Sequence, residues 1–196
     1  MWDEEKIKEY LKTNLKPKRY RHVMGVRDTA YKLAIIHNED RNKAILGALI
    51  HDCAKNKSNE EIIKIVENSP YTVEDDEYKM PELLHGLAGA IIAKELMGIE
   101  DEDVLNSSIY HTTGRKNMTL LEKIIYIADY IEPNRDFPGV EDLREITFNN
   151  LDEGLLKAFN NTIKYVVEKG GVLHKRTIEA RDYLLKEMQD KASRSK

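Results

Sequence analysis

The chain has 196 residues, with 31 Lys and Arg against 35 Asp and Glu, which gives a formal net charge of -4. A chain of this length buries about 70% of its surface on folding, so one core needs no disulfide, and the single Cys53 forms none within the chain. The acidic balance argues against a broad basic face for polymeric nucleic acid, and no apolar run approaches the roughly 18 residues of a membrane span. Because the acidic amino terminus is unlike a signal peptide, we expect one soluble domain, residues 1–196, in the cytoplasm.

Apolar residues repeat at intervals of three and four in nearly every segment, which predicts an all-α fold. In chain order, the pattern predicts helices over Asp3 to Leu15, 22–34, Asn42 to Cys53, Ser58 to Val66, Leu84 to Met97, Asp103 to Tyr110, Leu120 to Ile131, Leu151 to Lys169 and Thr177 to Met188. We expect the acidic stretch 68–81 to be a mobile surface loop and residues 191–196 to be a frayed polar tail. The chemically distinctive motifs then fall within residues 18–135, and residues 151–188 form a helical C-terminal part.

Six potential metal ligands lie in or beside apolar helical stretches: His22, His51, Asp52, His85, His111 and Asp129. The most distinctive feature is the adjacent pair His51 and Asp52. Consecutive helical side chains diverge, so both reach a shared ion only if the ion lies near the helix surface at that turn. Asp129 falls on the apolar face of its helix, where an unpaired carboxylate is costly and needs a cationic partner or a metal. Imidazoles and carboxylates without thiolates suit Fe, Mn, Co or Zn and disfavour a structural zinc site.

Each of these residues alone has a simpler interpretation. A lone histidine is more often a core or surface residue than a ligand, and Asp129 is also explained by an arginine or lysine partner or by helix capping. Lys55 and Arg135 are equally well explained as solvated surface cations, and Cys53 as a small packed side chain. The ordered set, rather than any one member, predicts the metal site.

The ordered set resembles the HD-domain superfamily of metal-dependent phosphohydrolases, whose fold is helical. A closer resemblance to the bacterial YqeK-type enzymes covers about residues 18 to 186. It is carried by the segments LIHDCAK (49–55), YHTTGR (110–115), ADYIEPNR (128–135), FPGV (137–140), GGVLH (170–174) and TIEAR (177–181). Members of that subgroup hydrolyse diadenosine tetraphosphate (Ap4A) symmetrically to two ADP and use iron, so the resemblance implies a single HD domain with this activity.

The resemblance also implies a role for each matching residue. It assigns the first iron to His22, His51, Asp52 and Asp129, and it gives His85 and His111 to a second metal or to the phosphates. The catalytic set is His51, Asp52, Lys55, His85 and His111. The nucleotide-binding positions are Asp52, Lys55, His85, His111, Thr112, Asp129, Arg135, Gly170, Gly171, Val172, Leu173, His174 and Lys175. Two residues depart from the subgroup's pattern: Gly86 stands in place of serine, and Lys175 stands in place of proline.

The chemistry of polyphosphate hydrolysis agrees with such a set. The reaction needs an activated water and neutralisation of concentrated negative charge. A metal ion lowers the pKa of its bound water, and a pair of ions stabilises the attacking and leaving oxygens together. Asp52 is the natural bridging carboxylate, while Lys55, three residues later, and Arg135 supply cations for the phosphates.

We therefore expect a metal-dependent Ap4A hydrolase that contains one or two iron ions and releases ADP; other divalent transition metals are also compatible. The alternatives are an HD-domain hydrolase of another nucleotide, a di-iron oxygenase and a nucleotide sensor without turnover. A helical surface permits a homodimer. We expect no polymeric nucleic acid and no membrane as partners.

Overall fold

The computed structural model describes residues 1–73 and 77–194, and these residues form ten α-helices and one short 3-10 helix. In chain order they are α1 (Glu4–Asn14), α2 (Pro17–His37), α3 (Arg41–Ile50), α4 (Asn59–Glu67), the 3-10 helix (Pro81–Leu83), α5 (His85–Glu95), α6 (Glu102–Ile109), α7 (Leu120–Ile131), α8 (Val140–Asn149), α9 (Leu151–Glu168) and α10 (Lys175–Arg194). The predicted all-α class is confirmed. Among these helices, none has both the length and the apolar character that crossing a bilayer requires.

Local sequence signals set several of these boundaries. The Ser58 hydroxyl accepts a hydrogen bond from the backbone N–H of Glu61, whose side chain accepts in return from the backbone N–H of Ser58. Thr119 and Glu122 form the same capping box at the start of α7. Pro17 ends the first helical pattern and is the first residue of α2, where its missing N–H leaves no intrahelical bond unmade.

The core is built where α2 packs on α3 and α7, and where α6 packs on α3, α5 and α7. Completely buried residues such as Val26, Leu49 and Ile125 fill the space between these helices. The packing gathers several helix ends at one place, because His51 directly follows α3, His85 is the first residue of α5 and His111 follows α6 by two residues. Four of the six predicted ligands therefore lie at or just beyond helix ends, whereas His22 lies within α2 and Asp129 within the last turn of α7.

One helix, α8, differs from the predicted pattern, which placed no helix between Ile131 and Leu151. In the structure, Val140, Leu143 and Thr147 of α8 are buried at helical spacing. The helix begins after Gly139, which has a φ of 86° and so adopts the left-handed conformation that glycine tolerates. Only three of its ten residues are buried, so its apolar periodicity is weak in the sequence.

The last helix, α10, continues through Arg194, beyond the predicted end near Met188, and Lys191 Nζ lies 3.0 Å from a carboxylate oxygen of Asp152 on α9. Fraying of residues 191–194 stays a prediction. Residues 195–196 lie outside the described residues. The predicted loop 68–81 has no α-helix in residues 68–73 and 77–80, and the 3-10 helix begins at its end; residues 74–76 lie outside the described residues, and the loop's mobility stays a prediction.

The helices α5 and α6 approach each other closely at Gly86. A Cβ atom at this position would overlap the carbonyl oxygen of Ser108 and would lie 3.1 Å from Nδ1 of His111. The same Ser108 carbonyl accepts a hydrogen bond from His111 Nδ1 at 2.7 Å, and the Ser108 hydroxyl donates to the Gly86 carbonyl at 2.9 Å. The glycine that departs from the subgroup's serine is therefore required by this packing.

We predict that Gly86→Ala lowers the free energy of unfolding by about 1–3 kcal/mol, because the methyl group forces a backbone carbonyl to move. Urea unfolding measures the change. Gly171→Ala is the matched control, since the nearest atom to its added Cβ is a side-chain carbon of Val166 at 3.3 Å. A Gly86→Ala protein as stable as the wild type would contradict the packing explanation.

The thiol of Cys53 lies in the core, where it is 2% exposed and its Sγ is 3.5 Å from the carbonyl oxygen of Gly89. Burial, together with the neighbouring Asp52 charge, raises the pKa of this thiol to about 12. Because the thiolate is the reactive form, we predict that a chromogenic disulfide reagent at about pH 8 modifies the native protein far more slowly than the unfolded chain. Comparing absorbance time courses with and without guanidinium tests this, and rapid labelling of the native thiol would show that the site opens.

Candidate metal centre

Asp52 lies at the centre of the predicted ligand set, with four imidazoles around its carboxylate. Its Oδ2 is 3.6 Å from Nε2 of His22 and 3.5 Å from Nε2 of His51. Its Oδ1 is 3.1 Å from Nε2 of His85 and 3.7 Å from Nε2 of His111. Each oxygen therefore faces a different pair of histidines, which is the arrangement required of a bridging carboxylate.

All four imidazoles are held through Nδ1, which leaves Nε2 turned toward the carboxylates. The partners of Nδ1 are Glu132 Oε1 at 3.0 Å for His22, Ala48 O at 2.6 Å for His51, Glu82 O at 2.7 Å for His85 and Ser108 O at 2.7 Å for His111. A carbonyl oxygen only accepts, so Nδ1 of the last three carries the hydrogen when the ring is neutral, and Nε2 then has a free electron pair. Within the described part of the chain, the buried Nε2 atoms of His22 and His51 have no hydrogen-bond partner. Such atoms beside carboxylates need a proton or a cation.

Asp129 is held by an arginine as well as by the cluster. Its Oδ1 lies 2.6 Å from Nη2 of Arg135 and 3.0 Å from Nε2 of His22, and Arg135 Nε donates to the Asp129 carbonyl at 2.8 Å. Desolvation raises the pKa of Asp129, but the His22 contact and the Arg135 charge outweigh it and lower the pKa below its usual range. The cationic partner expected for this carboxylate is therefore present, and the same carboxylate also faces the histidines.

The electrostatics of the cluster favour anionic carboxylates beside histidines of different basicity. Burial raises the pKa of Asp52, but the His51 charge and the contacts with His51 and His85 outweigh this effect and lower the pKa to well below its usual value. Burial and the neighbouring His85 and His51 lower the pKa of His111 to about 3, so its ring is neutral at physiological pH. Burial lowers the pKa of His22, yet its contacts with two carboxylates give a net rise. The two carboxylates therefore favour a positive charge on the His22 ring.

Cationic and hydroxyl side chains surround the cluster. Lys55 Nζ lies 3.3 Å from Nε2 of His85, and the Thr112 hydroxyl lies 3.1 Å from Nε2 of His111. Arg19, which is not among the predicted site residues, donates from Nη1 to Asp52 Oδ2 at 2.7 Å. Its position one helical turn before His22 places both on one face of α2, and this spacing was the available signal.

A second residue absent from the predicted set, Glu132, supports His22 from behind. Glu132 is 1% exposed; its Oε1 faces His22 Nδ1, and its Oε2 accepts from the backbone N–H of Asn134 at 2.7 Å and from the Asn134 side chain at 2.8 Å. Gly25 provides the space, because a Cβ atom there would overlap Glu132 Oε2. Outer carboxylates of this kind orient a histidine ligand and increase its basicity. Glu132 lies within the segment 128–135, which carries part of the family resemblance, but nothing in the sequence indicated that His22 is its partner.

The stretch 170–175 lies between α9 and α10 and includes the first residue of α10. His174 is 5% exposed, and its Nδ1 accepts from the backbone N–H of Arg176 at 3.1 Å. The Arg176 guanidinium pairs with Glu77 at 2.8 Å and lies 5.5 Å from the ring centre of Tyr110, the neighbour of His111. The nucleotide-binding role of the stretch stays a prediction. Lys175 is the first residue of α10, a position that accepts proline equally well.

The donor atoms fit a divalent transition-metal ion. Two groups of three donors have their atoms within 4.8 Å of one another: His22, His51 and Asp129, and His51, Asp52 and His111. His51 belongs to both groups, and Asp52, which the resemblance assigns to the first ion, faces both through its two oxygens. Nitrogen and carboxylate donors of this kind suit iron, manganese, cobalt and zinc.

Comparisons with known proteins agree with this geometry. The HD domain family matches residues 19–134, a range that contains all six predicted ligands. A symmetrical bis(5'-nucleosyl)-tetraphosphatase of Halalkalibacterium halodurans is 40% identical over 94% of this chain and 98% of its own length, and that of Bacillus subtilis is 42% identical over 81% and 85%. The enzyme of the same name from Staphylococcus aureus is 38% identical over 91% of this chain and 93% of its own length.

A solved structure has the same fold. It is a predicted HD superfamily hydrolase involved in NAD metabolism from Clostridium acetobutylicum, 56% identical in sequence, with a TM-score of 0.93 over 95% of this chain and 99% of that chain. The match over most of both chains extends the similarity beyond the metal-binding motifs. This chain therefore belongs to the HD domain family, in its group of symmetrical bis(5'-nucleosyl)-tetraphosphatases.

Proposed function

We propose that the protein hydrolyses Ap4A symmetrically into two ADP at a metal centre built around Asp52. The observation that carries the proposal is the convergence of four histidine Nε2 atoms on one buried carboxylate, at 3.1 to 3.7 Å. The substrate class is supported by relatives at 38–42% identity that bear the name symmetrical bis(5'-nucleosyl)-tetraphosphatase.

Iron is the proposed metal, with one or two ions per chain. His22, His51, Asp52 and Asp129 would hold the first ion, and His85 and His111 would hold a second ion or contact the phosphates. A bound ion would lower the pKa of a water molecule and offset the charge of the phosphates. The buried Nε2 atoms of His22 and His51 face carboxylate oxygens without a well-formed hydrogen bond, and this supports the assignment because such atoms can bind a cation.

The chain's own cations suit a phosphate chain beside the metals. Lys55 lies against His85 and Arg135 against Asp129, so both sit at the edge of the ligand cluster. Arg135 presents a planar guanidinium that can bind two phosphate oxygens, while the Thr112 hydroxyl can donate to a third. The stretch from Gly170 to Lys175 is proposed to contact one of the two nucleosides.

Product analysis distinguishes this proposal from its alternatives. Iron-loaded protein is incubated anaerobically with Ap4A, with and without chelator, and the nucleotides are separated by ion exchange. Metal-dependent release of ADP alone is expected. ATP plus AMP would indicate an asymmetric hydrolase, and tight ADP binding without turnover would indicate a sensor. Oxygen consumption with an organic substrate would indicate an oxygenase, which the cations Lys55 and Arg135 beside the ligand cluster do not favour.

We predict that Asp52→Asn and His51→Ala each lower the rate of Ap4A hydrolysis by more than about 100-fold, because each variant changes a metal donor. Loss of a residue that only hydrogen-bonds a metal ligand already lowers metal affinity or activity by about 10–100-fold. Activity is measured after circular dichroism has shown that the variants are folded. Asp142→Asn is the matched control, since Asp142 is exposed on α8. Full activity in either folded cluster variant would overturn the proposed site.

We further predict that Glu132→Gln weakens iron binding by about 10–100-fold, because the amide keeps the size of the side chain but removes the negative charge that supports His22 Nδ1. Competition with a chromogenic chelator measures the affinity. Glu145→Gln, at an exposed position of α8, is the control. An unchanged affinity in Glu132→Gln would mean that His22 is oriented by other contacts.

A further inference from the structure

Two clefts open beside the ligand cluster, and Arg135 and Phe137 lie in the walls of both. The first, which we call the α2 cleft, has a volume of about 530 Å³, and its other lining residues include Lys16, Lys18, Arg19, His22, Glu132 and Asp136. The second, the α9 cleft, has a volume of about 670 Å³ and is otherwise lined by Tyr130, Pro138, Asn161, Lys164, Tyr165 and Glu168. The two clefts therefore lead from the same arginine to different helices.

A symmetrical cut leaves one nucleoside diphosphate on each side of the broken bond, so the substrate needs a binding site on each side. The α9 cleft lies beside the end of α9, which leads directly into the proposed nucleotide-contacting stretch 170–175. The α9 cleft is therefore suited to one nucleoside diphosphate half of the substrate. Resting on the proposed function, we infer that the α2 cleft binds the second nucleoside diphosphate half, with its phosphates against the first turn of α2.

The charge of the α2 cleft suits phosphates. Lys16 and Lys18 are exposed at its wall, and Arg19 and Arg135 line it closer to the cluster. Of the two lining carboxylates, Glu132 is buried and held by Asn134 and His22, which leaves Asp136 exposed. Because Arg19 and Arg135 pair with Asp52 and Asp129, the exposed charges of the cleft wall are Lys16 and Lys18 against Asp136, an excess of one cation on a chain whose formal net charge is -4.

The backbone at the start of α2 adds to this charge. Lys16 precedes Pro17 at the helix start and makes no side-chain cap, and Lys18 and Arg19 of the first turn line the cleft. The first N–H groups and the positive end of the helix dipole therefore act in the same direction as the lysines.

The cleft opens directly onto the cluster through two of its lining residues. Nε2 of His22 faces Asp52 and Asp129, and Arg19 reaches from the cleft wall to Asp52 Oδ2 at 2.7 Å while its side chain is 30% exposed. A polyphosphate that lies over the cluster can continue past Arg19 toward Lys16 and Lys18. The shared Phe137, whose ring packs edge-on against Tyr130 with centroids 5.4 Å apart, supplies an aromatic surface in the wall of the cleft.

The double variant Lys16→Ala/Lys18→Ala tests the inference without touching the ligand cluster. Two charge-assisted contacts to phosphate are removed, so we expect the KM for Ap4A to rise about tenfold or more. By titration calorimetry, the iron-loaded wild-type chain should bind two ADP and the double variant one at the same ADP concentrations. Lys32→Ala/Lys186→Ala removes the same charge from exposed positions elsewhere and should match the wild type in both measurements.

A KM in the cleft variant equal to that of the control would overturn the inference, as would a wild-type chain that binds a single ADP. Failure of the proposed function looks different. In that case the wild type releases no ADP from Ap4A with any metal tested, and the number of bound ADP still decides whether the α2 cleft is a nucleotide site.

Discussion

The burial of one carboxylate among four imidazoles is the constraint on which the rest of this site depends. The Asp52 side chain is 3% exposed, and every nearby histidine directs Nε2 at its oxygens. The rings of His51, His85 and His111 are each oriented by the same local contact, a hydrogen bond from Nδ1 to the carbonyl oxygen three residues earlier. The orientation of the donors is thus set by helix-end geometry within each segment, and packing has only to bring the helix ends together.

The fourth ring, His22, lies within a helix and depends on long-range support instead. Glu132 provides it across 110 residues of sequence, and Gly25 leaves the room. The connection that carries Glu132 is itself held by Arg144 of α8, whose guanidinium donates to the carbonyl oxygens of Ile131 at 2.8 Å, Glu132 at 2.8 Å and Arg135 at 2.9 Å. The short helix α8 therefore has a role in the site although it contributes no ligand candidate.

Most of the fold could be predicted from the sequence, because caps and apolar periodicity are local signals; both predicted capping boxes are present. The six-residue cluster was also predictable, since its residue types are unusual beside apolar helical stretches. The roles of Arg19 and Glu132 were not, because each depends on a partner that only tertiary packing brings near. The part of α10 beyond Met188 consists of exposed residues, and only three residues of α8 are buried, so neither gave a clear apolar pattern in the sequence.

Anomalous diffraction at the iron absorption edge, from crystals of the iron-loaded protein, tests the central claim most directly. The account predicts a peak within bonding distance of Nε2 of His22 and His51 and of the Asp52 and Asp129 carboxylates, with each Nδ1 contact retained. A loaded protein with no peak inside the cluster, or with iron bound through Nδ1, would contradict it.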